Sequence, residues 1–360
     1  PVRGGASGTI LYKYIEGSQD WVKGTAPLPD FKNHSVINLP LSDPSFVYPD
    51  HNISVSTFMD QRPINIRPDP SAYTQGPSIP PNMSAYTFNT NEVHSQEESA
   101  PPQENSRVIE THFPAEKIPL GLTMINIKRG TDFRVRSYID SIEPVDKKYE
   151  AYKATVHLDT WHNAVLRGAA CTWFDVSKWD KQFQFGRLLA TNKLTDNADK
   201  WVDVKFERPF DQVPKVIVWL YTINIDRKED MRIHAVAENV TTTGFRLGVH
   251  TWEETVVFDS KVSWLAVPSN FPNVTAGAYQ AWDMETPRSE YKKEVTFDKP
   301  FSRPPRVLVA ISKFHASNKH DLCIETKAEN ITTEGATLSI RSIGDCILYQ
   351  GGFDYIAIED

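Results

Sequence analysis

Two arginines and two tryptophan pairs carry the chemistry that this chain's residue types and spacing permit. Trp161 and Trp173 are twelve positions apart in LDTWHNAVLRGAACTWF, and Trp252 and Trp264 are twelve apart in HTWEETVVFDSKVSWLA. Arg134 and Arg232 each open a strand-like run, FRVRSYI and MRIHAVA. A guanidinium is a planar fork that donates to two oxygens at once, and an indole offers a flat apolar face. The plain alternatives stand beside these roles. Trp173 and Trp264 read as core, and a strand arginine is by default solvated or salt-bridged. Trp161 and Trp252 fall at strand ends, followed by His162 and Glu253, where binding competes with packing. His157 and His162 do not make a metal site, because strand residues five apart point to opposite faces. The chain has no nucleophile elbow, phosphate loop or zinc signature, and no carboxylate pair that can be placed for hydrolysis. These absences favour binding over catalysis.

The elements that position these residues are repeated. The stretch Phe206–Pro268 recurs, in order and at the same spacing, from Phe297 to the C-terminus. Phe206 to Pro214 is eight residues, as is Phe297 to Pro305; Pro214 to Gly244 is thirty, as is Pro305 to Gly335. A more divergent copy lies upstream, where FPAEKIPLGLTMINIKRGTDFRVRSYIDSI parallels FERPFDQVPKVIVWLYTINIDRKEDMRIHAVAENV. This gives three units, roughly 83–176, 177–269 and 275–360, behind an arm of residues 1–82. A repeated unit favours repeated sites over one pocket.

Composition narrows the partners. The 360 residues carry a net charge of −7 and no basic cluster, which argues against nucleic acid or an anionic membrane. No apolar run approaches the roughly 18 residues of a membrane span. Sixteen of the 25 prolines fall at or before Pro119, so residues 1–82 read as an extended arm with short strands at Thr9–Tyr14 and Ile53–Met59. No signal peptide is visible, and the chain begins at Pro1 rather than Met, in keeping with a removed leader or a trimmed end. Six Asn-x-Ser/Thr sequons, at Asn33, Asn52, Asn82, Asn239, Asn273 and Asn330, lean toward secretion without excluding the cytoplasm. Asn239 and Asn330 share one repeat position before a glycine, where asparagine also serves turn geometry. The three cysteines form no disulfide scaffold, although a Cys323–Cys346 bridge and two separate buried thiols are both open.

The repeats read as β throughout. VPKVIVWLYTI and PPRVLVAISKF are β-branched, follow a proline and are apolar on both faces, which predicts strands buried on both sides. MRIHAVAENV alternates, as a half-exposed strand does. In TTTGFRLGVHTW, Phe245, Leu247 and Val249 fall on one face and Arg246 and His250 on the other. About six short strands per unit predict small antiparallel sandwiches.

The ordered set resembles the H-type lectin family, the fold of the snail N-acetylgalactosamine-binding agglutinin and of the discoidin C-terminal domain. It comprises the entry Phe-x-x-Pro, the Leu/Met/Phe-Arg-Val/Ile strand start, the Thr-x-x-Gly-Phe turn, Thr-Trp-His-Asn and the closing Ser-Trp-Leu/Ile. The resemblance covers about 270 of the 360 residues, loosely in the first unit. It implies six-stranded antiparallel sandwiches that assemble as a trimer, with galactose-type sugars in shallow sites between subunits. With three units in one chain, the expected assembly is an intramolecular pseudo-trimer, open to higher oligomers.

The resemblance implies site residues as well. The sugar-contacting arginine maps to Arg134 and Arg232. The Trp-His pair is Trp161-His162, followed by Asn163, and becomes Trp252-Glu253 in the second unit. Ionised Glu253 accepts hydrogen bonds but cannot donate, which puts acetamido-sugar preference there in doubt. The acidic residue that holds the axial hydroxyl maps to Asp196, with Glu97, Glu98 or Glu104 as stand-ins in the first unit. The third unit has Cys323, Ile343-Gly344 and Tyr355 in place of the arginine, the Trp-His pair and the closing tryptophan. It is expected to be structural or to lend one wall, with Asp283 and Glu285 as candidate acids. The expected function is a multivalent lectin for terminal galactose or N-acetylgalactosamine, without catalysis, cofactor or metal. The alternatives are a structural or protein-binding array with decayed sites, and the carbohydrate-binding part of a glycan-active enzyme.

Overall fold

The computed structural model describes residues 13–15, 20–22, 104–111, 118–146, 151–174, 182–190, 193–195, 199–271, 273–282 and 286–359. Among them all regular structure is strand. In chain order these are β1 (Lys13–Ile15), β2 (Asp20–Val22), β3 (Ser106–Thr111), β4 (Leu120–Ile127), β5 (Phe133–Asp146), β6 (Ala151–Asp159) and β7 (Leu166–Trp173). The second repeat holds β8 (Gln184–Ala190), β9 (Asp199–Lys205), β10 (Lys215–Ile225), β11 (Met231–Glu238), β12 (Gly244–His250) and β13 (Val257–Val267). The third holds β14 (Val274–Gln280), β15 (Glu290–Thr296), β16 (Arg306–Ala316), β17 (Leu322–Glu329), β18 (Gly335–Ser342) and β19 (Leu348–Ile358).

The chain divides into two units, residues 1–72 and 73–360. In the first, β1 and β2 pair as an antiparallel hairpin. Its first strand lies slightly downstream of the expected Thr9–Tyr14, and the expected strand at Ile53–Met59 lies outside the described residues.

The second unit contains three antiparallel sheets, ordered β3-β6-β5-β10-β13-β8, β14-β19-β16-β11-β12-β9 and β15-β18-β17-β4-β7. None of them is confined to one repeat. The first joins three strands of the upstream stretch to three of the second repeat. The second joins three of the second repeat to three of the third. The last joins three of the third repeat to two of the upstream stretch. The exchange therefore runs in one cyclic order, and each seam is a short four-residue ladder. At these ladders Arg134 faces Asn224, Arg232 faces His315, and Cys323 faces Asn126.

Local sequence explains the elements at the seams. Pro214 and Pro305 cannot donate to a ladder, so β10 and β16 begin after them. Their residues are buried on both faces as expected, because each strand lies mid-sheet with packed layers on both sides. Strands β4, β10 and β16 each carry two register shifts, at Leu122/Met124 and Asn126/Ile127, Leu220/Thr222 and Asn224/Ile225, and Ile311/Lys313 and His315/Ala316. Such irregularities bend a strand and re-aim its side chains. β12 follows its predicted alternation, with Phe245, Leu247 and Val249 buried and Arg246 exposed. β11 departs from the half-exposed reading: Met231 through Ala235 are buried on both faces, because Arg232 is enclosed by Thr255 and Glu253 and His234 by Trp282 and His250. Asn239 and Asn330 adopt left-handed φ values of 52° and 50°, as their turn role requires. At the following turns a Cβ on Gly244 or Gly335 would meet the Val204 or Val295 carbonyl oxygen at 2.2 Å, so only glycine fits.

A large core fills the sandwiches and includes Trp173 and Trp264, as expected. A second apolar cluster joins the central strands of different repeats through Ile217, Trp219, Leu265, Leu308, Ala310 and Ile356. There, corresponding positions of β4, β10 and β16 converge as Gly121, Trp219 and Ala310. A Cβ placed on Gly121 would stand 2.5 Å from Ala310 Cβ and 2.8 Å from Trp219 Cβ. One large side chain occupies the space and the two others are small. Trp219 Nε1 donates to Asp354 O at 2.9 Å, and the Val218 amide donates to Asp354 Oδ2 at 2.8 Å. Burial pushes the Asp354 carboxyl up to about 7.

The cysteines settle as separate thiols: Cys171, Cys323 and Cys346 are free and buried. The open Cys323–Cys346 bridge is not formed, and burial raises these two thiols to about 12 and about 11. Both pack as small apolar side chains.

Because Trp219 alone fills the junction of the three central strands, Trp219→Ala is expected to cost about 3–5 kcal/mol through lost transfer energy and a residual cavity. Denaturant unfolding followed by near-UV circular dichroism measures this. A loss below about 1 kcal/mol would mean that the junction can collapse around alanine.

Candidate functional site

The first seam brings Arg134, His162 and Asn163 together in one cleft of about 650 Å³, with Asp132, Asp226, Arg227 and Lys228 as the remaining walls. Arg134 is held at the start of β5. Its Nη1 donates to Asn163 Oδ1 at 3.0 Å, and its other terminal nitrogen pairs with Asp132. The turn that carries Trp161, His162 and Asn163 is tied to the same strand, since Thr160 Oγ1 donates to the Arg134 carbonyl at 2.7 Å. His162 has φ 58° and stands exposed at the mouth. Trp161 packs instead under Arg136, whose guanidinium carbon lies 5.4 Å from the ring centroid. The far wall, residues 226–228, belongs to the β10–β11 loop of the second repeat. The cleft therefore spans two repeats and gathers donors and acceptors on one open surface.

The second seam repeats the plan with different chemistry. Arg232 is only 7% exposed. Its Nη1 donates to Thr255 Oγ1 at 3.0 Å, and its Nη2 pairs with Glu253 and lies 3.7 Å from Asp230 Oδ2. Glu253 has φ 53° and occupies the turn position of His162, so here the acidic residue engages the arginine directly. Trp252 meets His315 of β16 edge-on, with ring centroids 6.0 Å apart. The third seam is occupied by ion pairs: Arg167 with Asp321, and Arg341 with Glu325. Gly344 has φ 65° at the corresponding turn, so the backbone persists where the Arg and Trp-His side chains are lost.

Asp196 lies outside the described residues, as do Glu97, Glu98, Asp283 and Glu285. Glu104 is described and exposed. It precedes Asn105, whose amide donates to Asp159 Oδ1 at 2.8 Å.

Sequence reasoning missed the acids that hold the seams. Asp132, Asp230 and Asp321 each stand two residues before Arg134, Arg232 and Cys323. Each accepts a backbone amide of the next repeat in the cycle: Arg227 at 3.3 Å, Asn318 at 3.1 Å and Arg129 at 2.8 Å. The same three residues donate from their side chains to the preceding repeat. Arg227 bonds the Gly130 carbonyl, Asn318 the Lys228 carbonyl at 2.7 Å, and Arg129 the Lys319 carbonyl at 2.9 Å. The signal was present as Asp-x-Arg, Asp-x-Arg and Asp-x-Cys in TDFR, EDMR and HDLC. The residues contributed across each seam by the neighbouring strand had no local signal.

Burial sets the protonation of the second seam. His234, 3% exposed, is pulled down to about 3 by burial, with Lys313 and His250 adding to the shift. Burial takes His315 to about 4, helped by Arg232 and opposed by Asp230. Burial also lowers Lys313 to about 7. An imidazole whose folded pKa lies below its unfolded value near 6.5 costs stability as pH falls, because the unfolded chain takes up the proton first. Between about pH 6.5 and 3, wild type is expected to lose stability relative to His234→Gln, by up to about 1.4 kcal/mol per pH unit. Paired urea titrations at pH 7.5 and 5 read this difference, and a stability gap that does not change with pH would show His234 to be solvated.

The family model described as H-type lectin domain matches residues 201–267 and 292–358. The Fuscovulum blasticum protein named "ATP synthase subunits region ORF 7" is 37% identical over 93 residues, covering 23% of this chain and 81% of that protein. Among solved structures, recombinant discoidin II of Dictyostelium discoideum is 17% identical, with 51% of this chain and 80% of that chain covered, at a TM-score of 0.23. Wild-type discoidin II is also 17% identical, with 51% and 87% covered, at a TM-score of 0.22. The two matched segments are the strand cores of the second and third repeats, including the Arg232 strand and the Trp252–Trp264 hairpin, and the chain belongs to the H-type lectin domain family of carbohydrate-binding proteins.

Proposed function

We propose that this protein is a non-catalytic, multivalent lectin for terminal galactose or N-acetylgalactosamine, and that its best-formed site is the first seam. One observation carries this reading: the open cleft of Asp132, Arg134, His162 and Asn163, completed by residues 226–228 of the next repeat. It combines a guanidinium positioned through both terminal nitrogens, each with a second N–H to donate, an exposed imidazole and an amide, which suit the vicinal hydroxyls of a sugar ring. In this reading units 83–176, 177–269 and 275–360 form an intramolecular pseudo-trimer. The cyclic sharing of strands supports it.

The three seams are unequal in this reading. Arg232, Trp252 and Glu253 form a second site with a more buried arginine, and Asp196 supplies an acid from outside the described residues. The third seam is structural. Single shallow sites bind near millimolar, or about −4 kcal/mol. Sites linked on one body raise avidity for dense glycans by roughly 10²–10⁴, which gives the repetition a physical purpose. The ion pairs filling the third seam favour the second reading, a scaffold with decayed sites.

A glycan array with the intact protein, competed by free N-acetylgalactosamine, separates the two. Inhibitable binding to galactose-type termini is expected. Arg134→Ala should reduce it by about tenfold or more, the loss of a charge-assisted bond, and Trp161→Ala should weaken it by releasing Arg136. Binding unaffected by both changes would remove the first seam as a site, and no binding to any glycan would leave the scaffold.

A further inference from the structure

At the second seam all four facing ladder positions carry a cationic or imidazole side chain, which is not so at its two counterparts. Its facing pairs are Arg232 with His315 and His234 with Lys313. The corresponding pairs are Arg134 with Asn224 and Arg136 with Thr222 at the first seam, and Cys323 with Asn126 and Glu325 with Met124 at the third. Residues two apart on a strand share a face, so the second seam lines up four nitrogen bases side by side. Its carboxylates lie at one end, where Asp230 and Glu253 pair with Arg232 and Asp230 Oδ2 stands 3.5 Å from His315 Nε2.

The other end is built differently. Lys313 is 0% exposed. Its ammonium donates to the Ala281 carbonyl at 3.0 Å and lies 3.3 Å from the Trp282 ring centroid and 5.6 Å from that of Trp252. His234 meets Trp282 edge-on with ring centroids 5.0 Å apart, and the tilted ring of His250 lies 5.7 Å away. His234 Nε2 and Arg232 Nε are buried with no hydrogen-bond partner among the described residues. Trp282, the cover over Lys313, is 62% exposed.

A buried ammonium held by one carbonyl and an aromatic face is incompletely compensated. A carboxylate supplies the missing charge through a charge-assisted hydrogen bond. The faces of Trp252 and Trp282 suit the apolar side of a sugar ring. We propose that the second seam is a saccharide site specific for a carboxylate-bearing sugar, such as a terminal uronic or sialic acid, with Lys313 and His234 receiving the carboxylate as Trp282 moves from Lys313 onto the ring. This inference rests on the lectin reading and narrows its second site to carboxylate-bearing termini, so that avidity arises on glycans carrying neutral and carboxylated termini together.

The test is an array carrying neutral galactose-type, carboxylated and sulfated termini, read with wild type and with Lys313→Thr, the residue found at the corresponding position 222. Wild type is expected to bind carboxylated termini. The variant should lose that binding by at least tenfold while neutral binding at the first seam persists. A second measurement needs no variant: titration of the wild-type protein with methyl galacturonate should shift the Trp282 indole N–H resonance, and methyl galactoside should leave it in place. Neutral binding without carboxylate binding, or carboxylate binding unchanged in Lys313→Thr with a still indole, overturns this inference and spares the lectin reading. Equal binding of sulfated termini overturns the carboxylate specificity. No binding to any terminus overturns both.

Discussion

Everything in the described second unit depends on the short ladders at which one repeat's strand pairs with the central strand of the next. A strand edge left unpaired exposes a row of backbone donors and acceptors. Here β5, β11 and β17 each place one edge against β10, β16 and β4. Three ladders in cyclic order leave no repeat able to complete its sheets alone. The ladders also place the functional side chains. Arg134 and Arg232 stand on them, next to the irregularities that bend the central strands, so each meets groups from two repeats.

The acids beside those ladders act as clasps. Asp132, Asp230 and Asp321 each take a backbone amide from the next repeat. An ionised carboxylate is a strong acceptor for such a bond. This geometry is kept at all three seams, while the side chains beside it have diverged from arginine to cysteine. The scaffold and the site are therefore separable. The third seam keeps its clasp and its turn at Gly344 although Cys323 stands in place of the strand arginine and Ile343-Gly344 in place of the Trp-His pair.

Linking the repeats in one chain permits that divergence. A symmetric assembly of identical subunits would set three copies of one residue at each junction. Here Trp219, Gly121 and Ala310 share one space, and close packing is met by one large side chain and two small ones. The same freedom lets the second seam gather His234, Lys313 and His315 where the first has Arg136, Thr222 and Asn224.

Much of the fold was legible locally. Proline marked where β10 and β16 begin, alternation predicted the faces of β12, and Asn239 and Asn330 announced left-handed turns. These features depend on neighbours in sequence, so the sequence by itself determined the all-β class and the repeat, while Arg134, Trp161 and His162 became candidates only through the family resemblance. The burial of β11 was misread because its polar side chains are enclosed by groups further along the chain, Thr255 and Glu253 around Arg232 and Trp282 against His234. The clasping aspartates were visible as a pattern, but nothing local said what they hold. Only the tertiary structure decided which strands share a sheet, that Glu253 engages Arg232, and that Lys313 lies buried between two tryptophans. Those outcomes follow from pairings between distant segments, and the energy that selects such pairings resides in contacts that exist only once the chain has closed on itself.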